Sequence, residues 1–175
     1  MSQLTYDNTI PVGYPGLIYD LHKGYNDTLV STEASAVIPF GCAVCKGSTD
    51  EGGILPVDAN SKFEGVLIKD DSYAPGSIDL DANGLKPKAS LSIRKRGPIW
   101  VKVEEAVVKN DPAFFRHTAS GGNTQKGAWR KSADTATAVE AQGCYFMTSA
   151  SAGGLAVLWV DIPVQRAAEK VTALI

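Results

Sequence analysis

Residue types that do catalysis or hold metals are thin in this sequence. Histidine occurs twice in 175 residues, at His22 and His117, and cysteine three times, at Cys42, Cys45 and Cys144. An odd, small number of cysteines argues against a disulfide framework and suits synthesis in a reducing compartment, a cytoplasm. No apolar run approaches the roughly 20 residues that a bilayer-crossing helix needs, so no membrane partner is expected. The first twenty residues hold neither a basic n-region nor an apolar h-region, and no secretory signal is expected. The Asn26-Asp27-Thr28 sequon is therefore read as coincidence. Basic charge is not in excess either. The formal net charge is −2, and the longest basic cluster, Arg94-Lys95-Arg96, reads as a solvated turn, which leaves no face for nucleic acid.

The motifs that remain are incomplete. Cys42-Ala43-Val44-Cys45 has the spacing of redox and zinc sites. On a strand, however, positions i and i+3 point to opposite faces, and no second ligand pair exists. Asp79-Leu80-Asp81-Ala82-Asn83-Gly84 opens like a calcium loop, but position 90, where the bidentate glutamate belongs, is Ser90. Residues 121–127 are rich in glycine like a phosphate loop, yet Lys126 precedes the last glycine and no helix pattern follows, so a hairpin tip is expected. Neither histidine lies in a nucleophile-elbow context, and both read as ordinary surface residues. The expectation is a non-enzymatic protein with no cofactor and no metal.

What the sequence does contain is a period of two. Ala89, Leu91 and Ile93 alternate with Ser90, Ser92 and Arg94, and Ile99, Val101 and Val103 alternate with Trp100, Lys102 and Glu104. These are patterns of half-buried strands, separated here by the Gly97-Pro98 break. Further strand-like runs fall at 28–32, 42–46, 63–69, 112–117, 128–131, 143–147 and 155–162. Many short strands divided by polar or glycine-rich loops predict a mainly β fold, an antiparallel β-barrel or sandwich. Helix is expected at 163–175, where Val164, Ala168, Val171 and Ile175 make an apolar stripe after Pro163, with one or two further turns at 135–141. Three parts follow: an extended N-terminal arm over 1–22, a β-rich body over 23–162, and a short C-terminal helical extension over 163–175.

The arm differs from the body. It mixes aromatic and aliphatic residues with Pro11, Gly13, Pro15 and Gly16, so it should be extended, with no core of its own. Its apolar side chains need a surface, either that of their own domain or that of a neighbour.

Taken in order, several segments resemble the bacteriophage structural cement, or capsid decoration, proteins. They are Tyr6 with Pro11-Val12-Gly13-Tyr14-Pro15-Gly16-Leu17-Ile18-Tyr19-Asp20, then Ile38-Pro39-Phe40-Gly41-Cys42-Ala43-Val44, Phe63-Glu64-Gly65-Val66 and Ser72-Tyr73-Ala74-Pro75-Gly76. The central piece runs from Ile93-Arg94-Lys95-Arg96-Gly97-Pro98-Ile99-Trp100 to Val107. Asp111-Pro112-Ala113-Phe114-Phe115-Arg116 and Ala152-Gly153-Gly154-Leu155-Ala156-Val157-Leu158 complete the match over residues 6–162. Two departures stand out: Asn110-Asp111 replaces a glycine-aspartate turn, and 163–175 has no counterpart. The resemblance implies a β-rich fold without catalysis. It implies a homo-oligomer, with a trimer favoured, bound to the major capsid protein on the outside of the virion head. On that reading the arm adds to an exposed sheet edge, with Leu4, Tyr6, Ile10, Pro11, Tyr14, Pro15 and Ile18 as capsid-binding residues. The main rival is a carbohydrate-binding or tail-associated β-domain using Trp100, Trp129 or Trp159. A hydrolase uniting His117 with a carboxylate and a nucleophile is the second.

Overall fold

A computed structural model describes residues 13–20, 24–70, 80–81 and 83–162. The expected helix at 163–175, His22, and the arm residues Leu4, Tyr6, Ile10 and Pro11 lie outside the described residues. Twelve strands account for the regular structure there, and no helix occurs among the described residues. Five strands form the first unit: β1 (Tyr25–Ser31), β3 (Ala43–Lys46), β4 (Gly52–Ile54), β5 (Phe63–Leu67) and the long β8 (Ser90–Lys102). Their order is β1-β4-β3-β5-β8, and β8 pairs back onto β1, so the sheet closes into a barrel. Closure removes the free edges that an open sheet of this size would expose. The barrel is antiparallel except for the β1–β4 pair, which is parallel.

The second half of β8 carries the sheet onward to β12 (Leu155–Asp161), β11 (Ala138–Phe146), β9 (Pro112–Arg116) and β10 (Trp129–Arg130). A parallel bridge between Val103 and Trp129 brings β10 back to the end of β8. A separate small sheet joins β2 (Ile38–Pro39), β7 (Gly84–Leu85) and β6 (Leu80–Asp81). The segment that resembled a calcium loop therefore supplies the β6–β7 pairing.

Two cores result. The barrel interior is mainly aliphatic, with Leu29, Val44, Leu67, Leu91 and Ile93 buried together. The second core holds Phe115, Trp129 and Phe146 with Ile99, Val101 and Leu158. Strands β3 and β5 serve both: Val44 and Leu67 point into the barrel, while Ala43, Cys45, Val66 and Ile68 point into the second core. A strand buried on both faces loses its alternation, so residues 42–45 read as a continuous apolar run.

Four expectations need correction. Residues 94–98 are not a turn between two strands, because β8 runs unbroken through them. Gly97 takes φ of 108°, a conformation open to glycine, at the point where β8 passes from one core to the other. The basic cluster is accordingly not solvated at a turn. Arg94 is buried and donates to the Asn26 side chain and the Asp20 carbonyl, and Lys95 bridges Asp27 and Glu64. Arg96 pairs with Asp161. Residues 135–141 form no helical turn: Asp134, Thr135 and Ala136 are all left-handed (φ 46°, 55° and 64°), and β11 begins at Ala138. Finally, His117 is not a surface residue but is buried, its Nδ1 within 2.9 Å of the Thr118 hydroxyl. Other turn expectations agree with the fold. Asn110, with φ of 72°, makes the turn before β9, and residues 121–127 lie in the connection between β9 and β10, with Ser120 and Asn123 bridged to each other.

Candidate docking surface

The described part of the arm is tied to its own body. Tyr14-Pro15-Gly16-Leu17 forms a reversal closed by the Leu17 N–H donating to the Tyr14 carbonyl (3.0 Å). Proline followed by a glycine with φ of 85° fits a type II turn, which a residue with a side chain at position 16 would strain. Beyond the turn the chain pairs with β8. Gly16 N–H donates to the Trp100 carbonyl (2.8 Å), Trp100 N–H to the Leu17 carbonyl (2.9 Å) and Tyr19 N–H to the Pro98 carbonyl (3.3 Å). Ile18 lies opposite Ile99 and packs against the second core. Residues 16–19 thus act as a short extra strand on the side of β8 not taken by β12. Pro98 is tolerated inside a long strand because its nitrogen faces the end of this short pairing, where no donor is required.

The sequence-expected capsid residues divide on this segment. Tyr14 is exposed, its ring beneath the Lys69 ammonium at 4.6 Å, whereas Pro15 and Ile18 are half-buried against the body. Leu17 and Tyr19, absent from the expected set, face outward with Tyr14. Tyr14 and Pro15 also border a cleft of about 640 Å³ whose walls include Phe40, Lys102 and Glu104.

A second feature is the outer face of the β8–β12–β11 sheet, of which sequence reading had only Trp100 and Trp159, as candidates for carbohydrate binding. In β12 the core takes Ala156, Leu158 and Val160, so Val157 and Trp159 face away from it. Register sets Trp100 beside Val157, Pro98 beside Trp159, and Tyr145 of β11 beside Trp159. Tyr145 and Trp159 stack with centroids 6.5 Å apart, and Tyr19 meets Trp100 edge-on at 5.6 Å. The result is an aromatic row across four neighbouring segments. Trp129 does not join it: the ring is fully buried, and its Nε1–H donates to the Gly41 carbonyl (2.8 Å). The continuous apolar run of β12, Leu155 to Val160, fits a strand covered on both faces, but does not say which face is the core.

The polar groups serve structure. Arg116, fully buried, donates from Nε to both Glu104 carboxylate oxygens (2.8 and 2.9 Å) and from a terminal nitrogen to Asp134 (2.6 Å). Arg130 reaches the same Asp134 oxygen at 2.9 Å. The Glu104 hydrogen bond holds the Arg116 guanidinium above its ordinary range, and the Arg116 bond holds the Asp134 carboxyl below its own. Burial pushes all three thiols up to about 12, which disfavours the thiolate form. Cys42 and Cys45 do not form a pair: Cys45 points into the second core, and Cys42 belongs to neither core cluster. Among the described residues no three histidine, cysteine or acidic groups converge as a metal site.

Comparison with known proteins agrees with this picture. The model of the structural cement protein family (E217 gp24/Pam3 gp6) matches residues 2–160. No curated protein matches the chain. Among solved structures, a chain of the capsid of Myoviridae phage XM1 superposes with a TM-score of 0.63, covering 90% of this chain and 98% of the other at 15% identity. At that identity the likeness establishes the fold. A family match over nearly the whole β-rich body, joined to the shared fold, identifies this chain as a member of the phage structural cement proteins.

Proposed function

We propose that this protein binds the outer surface of an assembled phage head, through the major capsid protein, and stabilises the shell without catalysing a reaction. Family membership carries this reading. A subunit that binds the closed shell but not its loose parts adds its binding free energy to shell stability by mass action. As a homo-oligomer, with a trimer favoured, it gains avidity from several sites at once without a new kind of contact. It works on the virion exterior after synthesis in the host cytoplasm.

The arm is the proposed contact. Leu4, Tyr6, Ile10 and Pro11 bring apolar surface, and Tyr14 with its outward neighbours Leu17 and Tyr19 continues it. Pro15 and Ile18 serve by anchoring the arm, since their own surface is partly spent on the body. The test is co-sedimentation with undecorated heads. Removing residues 1–12 spares the 16–19 pairing and should yield a folded oligomer that no longer decorates; full decoration by this variant overturns the arm's role. A carbohydrate-binding reading has one observation in its favour, the half-buried Trp159 stacked on exposed Tyr145. A glycan screen in which Trp159→Ala abolishes a hit would support it.

A further inference from the structure

The outer aromatic row is more than a stray apolar patch. Val157 sits on the side of β12 away from the core, yet its exposure is 0%. Trp100 and Trp159 flank it, and both are only half-buried. Tyr19 and Tyr145 at the two ends remain 55% and 39% exposed. A contiguous aromatic face of this kind is expensive to leave in water and marks a place of contact.

The arm's turn says what arrives there. Because Tyr14-Pro15-Gly16-Leu17 reverses the chain, Gly13 is brought back over the outer face of β8. It lies directly on Trp100: a Cβ at this glycine would come within 2.8 Å of the indole ring. The twelve residues before Gly13 therefore start from this face. They carry Leu4, Tyr6 and Ile10. From Trp100 to Tyr145 is two strand spacings, about 10 Å, plus an offset of two residues, about 7 Å. Even four or five extended residues span that. A tether this short also gives the chain's own lead an effective concentration on the order of millimolar, ahead of any other copy's.

We propose that in the free subunit the outer face of β8, β12 and β11 is the seat of the chain's own first twelve residues. This rests on the reading of those residues as the capsid-binding arm. A sticky lead must be kept from self-association until a shell is present, and this face covers its apolar side chains while the lead covers the face. Docking on a head then exchanges one apolar surface for another.

The test places a photoreactive aromatic in the lead, Tyr6→p-benzoylphenylalanine, and irradiates the purified full-length protein without capsids. The expected product is an adduct within one chain, mapped to Trp100, Trp159 or Tyr145. Combining Tyr145→Ala with Trp159→Ala should reduce its yield at least about threefold, from the lost aromatic contacts. A covalent dimer would mean the face seats a neighbour's lead and would overturn the proposal, as would adducts elsewhere or none. Decoration of heads by the variant lacking residues 1–12 separates the two readings. If that variant fails to decorate and no adduct forms, the seat falls and the arm stands. If the adduct forms and the variant decorates fully, the arm's role falls instead.

Discussion

The two halves of the molecule close in different ways. The five-stranded barrel closes by backbone pairing, with β8 hydrogen-bonded to β1 around an aliphatic interior. The second unit runs through β12, β11, β9 and β10 and returns to β8 through one bridge at Val103–Trp129 and the Glu104 N–H donating to the Trp129 carbonyl (2.8 Å). Its closure leans on side chains: the Trp129 indole, and an ionic clasp of Arg116, Arg130, Glu104 and Asp134. A barrel sealed by main chain tolerates change at single side chains. A unit sealed by a few of them does not.

The largest effect is expected at Trp129. Its ring is edge-on to both Phe63 (5.7 Å) and Phe115 (6.3 Å), and its N–H satisfies the Gly41 carbonyl. Trp129→Ala should cost about 3–5 kcal/mol from lost apolar burial and the cavity together. A further cost of about 1–3 kcal/mol follows if the Gly41 carbonyl stays buried without a donor. Chemical denaturation measures it. A loss near 1 kcal/mol would show that the second unit does not depend on this residue for closure.

Arg116→Met is next. Removing one member of a buried ion cluster leaves its partners uncompensated, typically about 3–5 kcal/mol. The low end is expected, because Arg130 remains close to both Glu104 and Asp134. Restoring neutrality by adding Glu104→Gln to Arg116→Met should recover part of that loss. No recovery would show that the clasp is held by shape and not by charge.

How much of this contrast was readable in advance depends on what alternation can encode. Strand-like composition marked seven of the strands, as in β1, whose side chains split between a core and an outside with Leu29 buried and Val30 exposed. It failed at β8, where Gly97-Pro98 looks like punctuation. There the glycine bends a continuous strand between two cores and the proline faces the short arm pairing, both consequences of tertiary contacts with no local signature. It failed again at 135–141, whose residues suit a helix. The Asp134 carboxylate is instead drawn to Arg116 and Arg130, and three left-handed residues follow from that position. Of the candidate docking surface, the arm is an expectation from composition, since apolar residues between prolines cannot form their own core. Trp159 stood out only as a candidate for glycan binding and Tyr145 not at all, because a strand pattern gives two faces without saying which is buried.

Acid should separate the two units further. Hydrogen bonding to Arg116 holds the folded-state pKa of Asp134 below its unfolded value. In the window between the two, the unfolded chain binds more protons, so stability rises with pH there. The contribution is fully present above the unfolded value of about 4 and is lost as pH falls through the lower folded value. Asp134→Asn should therefore be less stable than the parent at neutral pH and nearly equal to it at strongly acid pH. The same gap at both pH values would remove the clasp from the account of acid sensitivity.

The smallest effect is expected from a pair of equal geometry in the barrel. Lys46 and Asp50, on the β3–β4 connection, meet at 2.8 Å, as close as Arg116 and Glu104. Hydrogen bonding between them raises the lysine's pKa and lowers the aspartate's, yet their side chains are 41% and 97% exposed, against 0% and 8% in the clasp. Water and salt screen an exposed pair, and holding two mobile side chains together costs entropy, so distance alone carries little stability. Lys46→Ala should leave the denaturation midpoint unchanged at any ionic strength, whereas Arg116→Met lowers it at all of them. A measurable loss at Lys46 would mean that the barrel, too, is fastened by side chains.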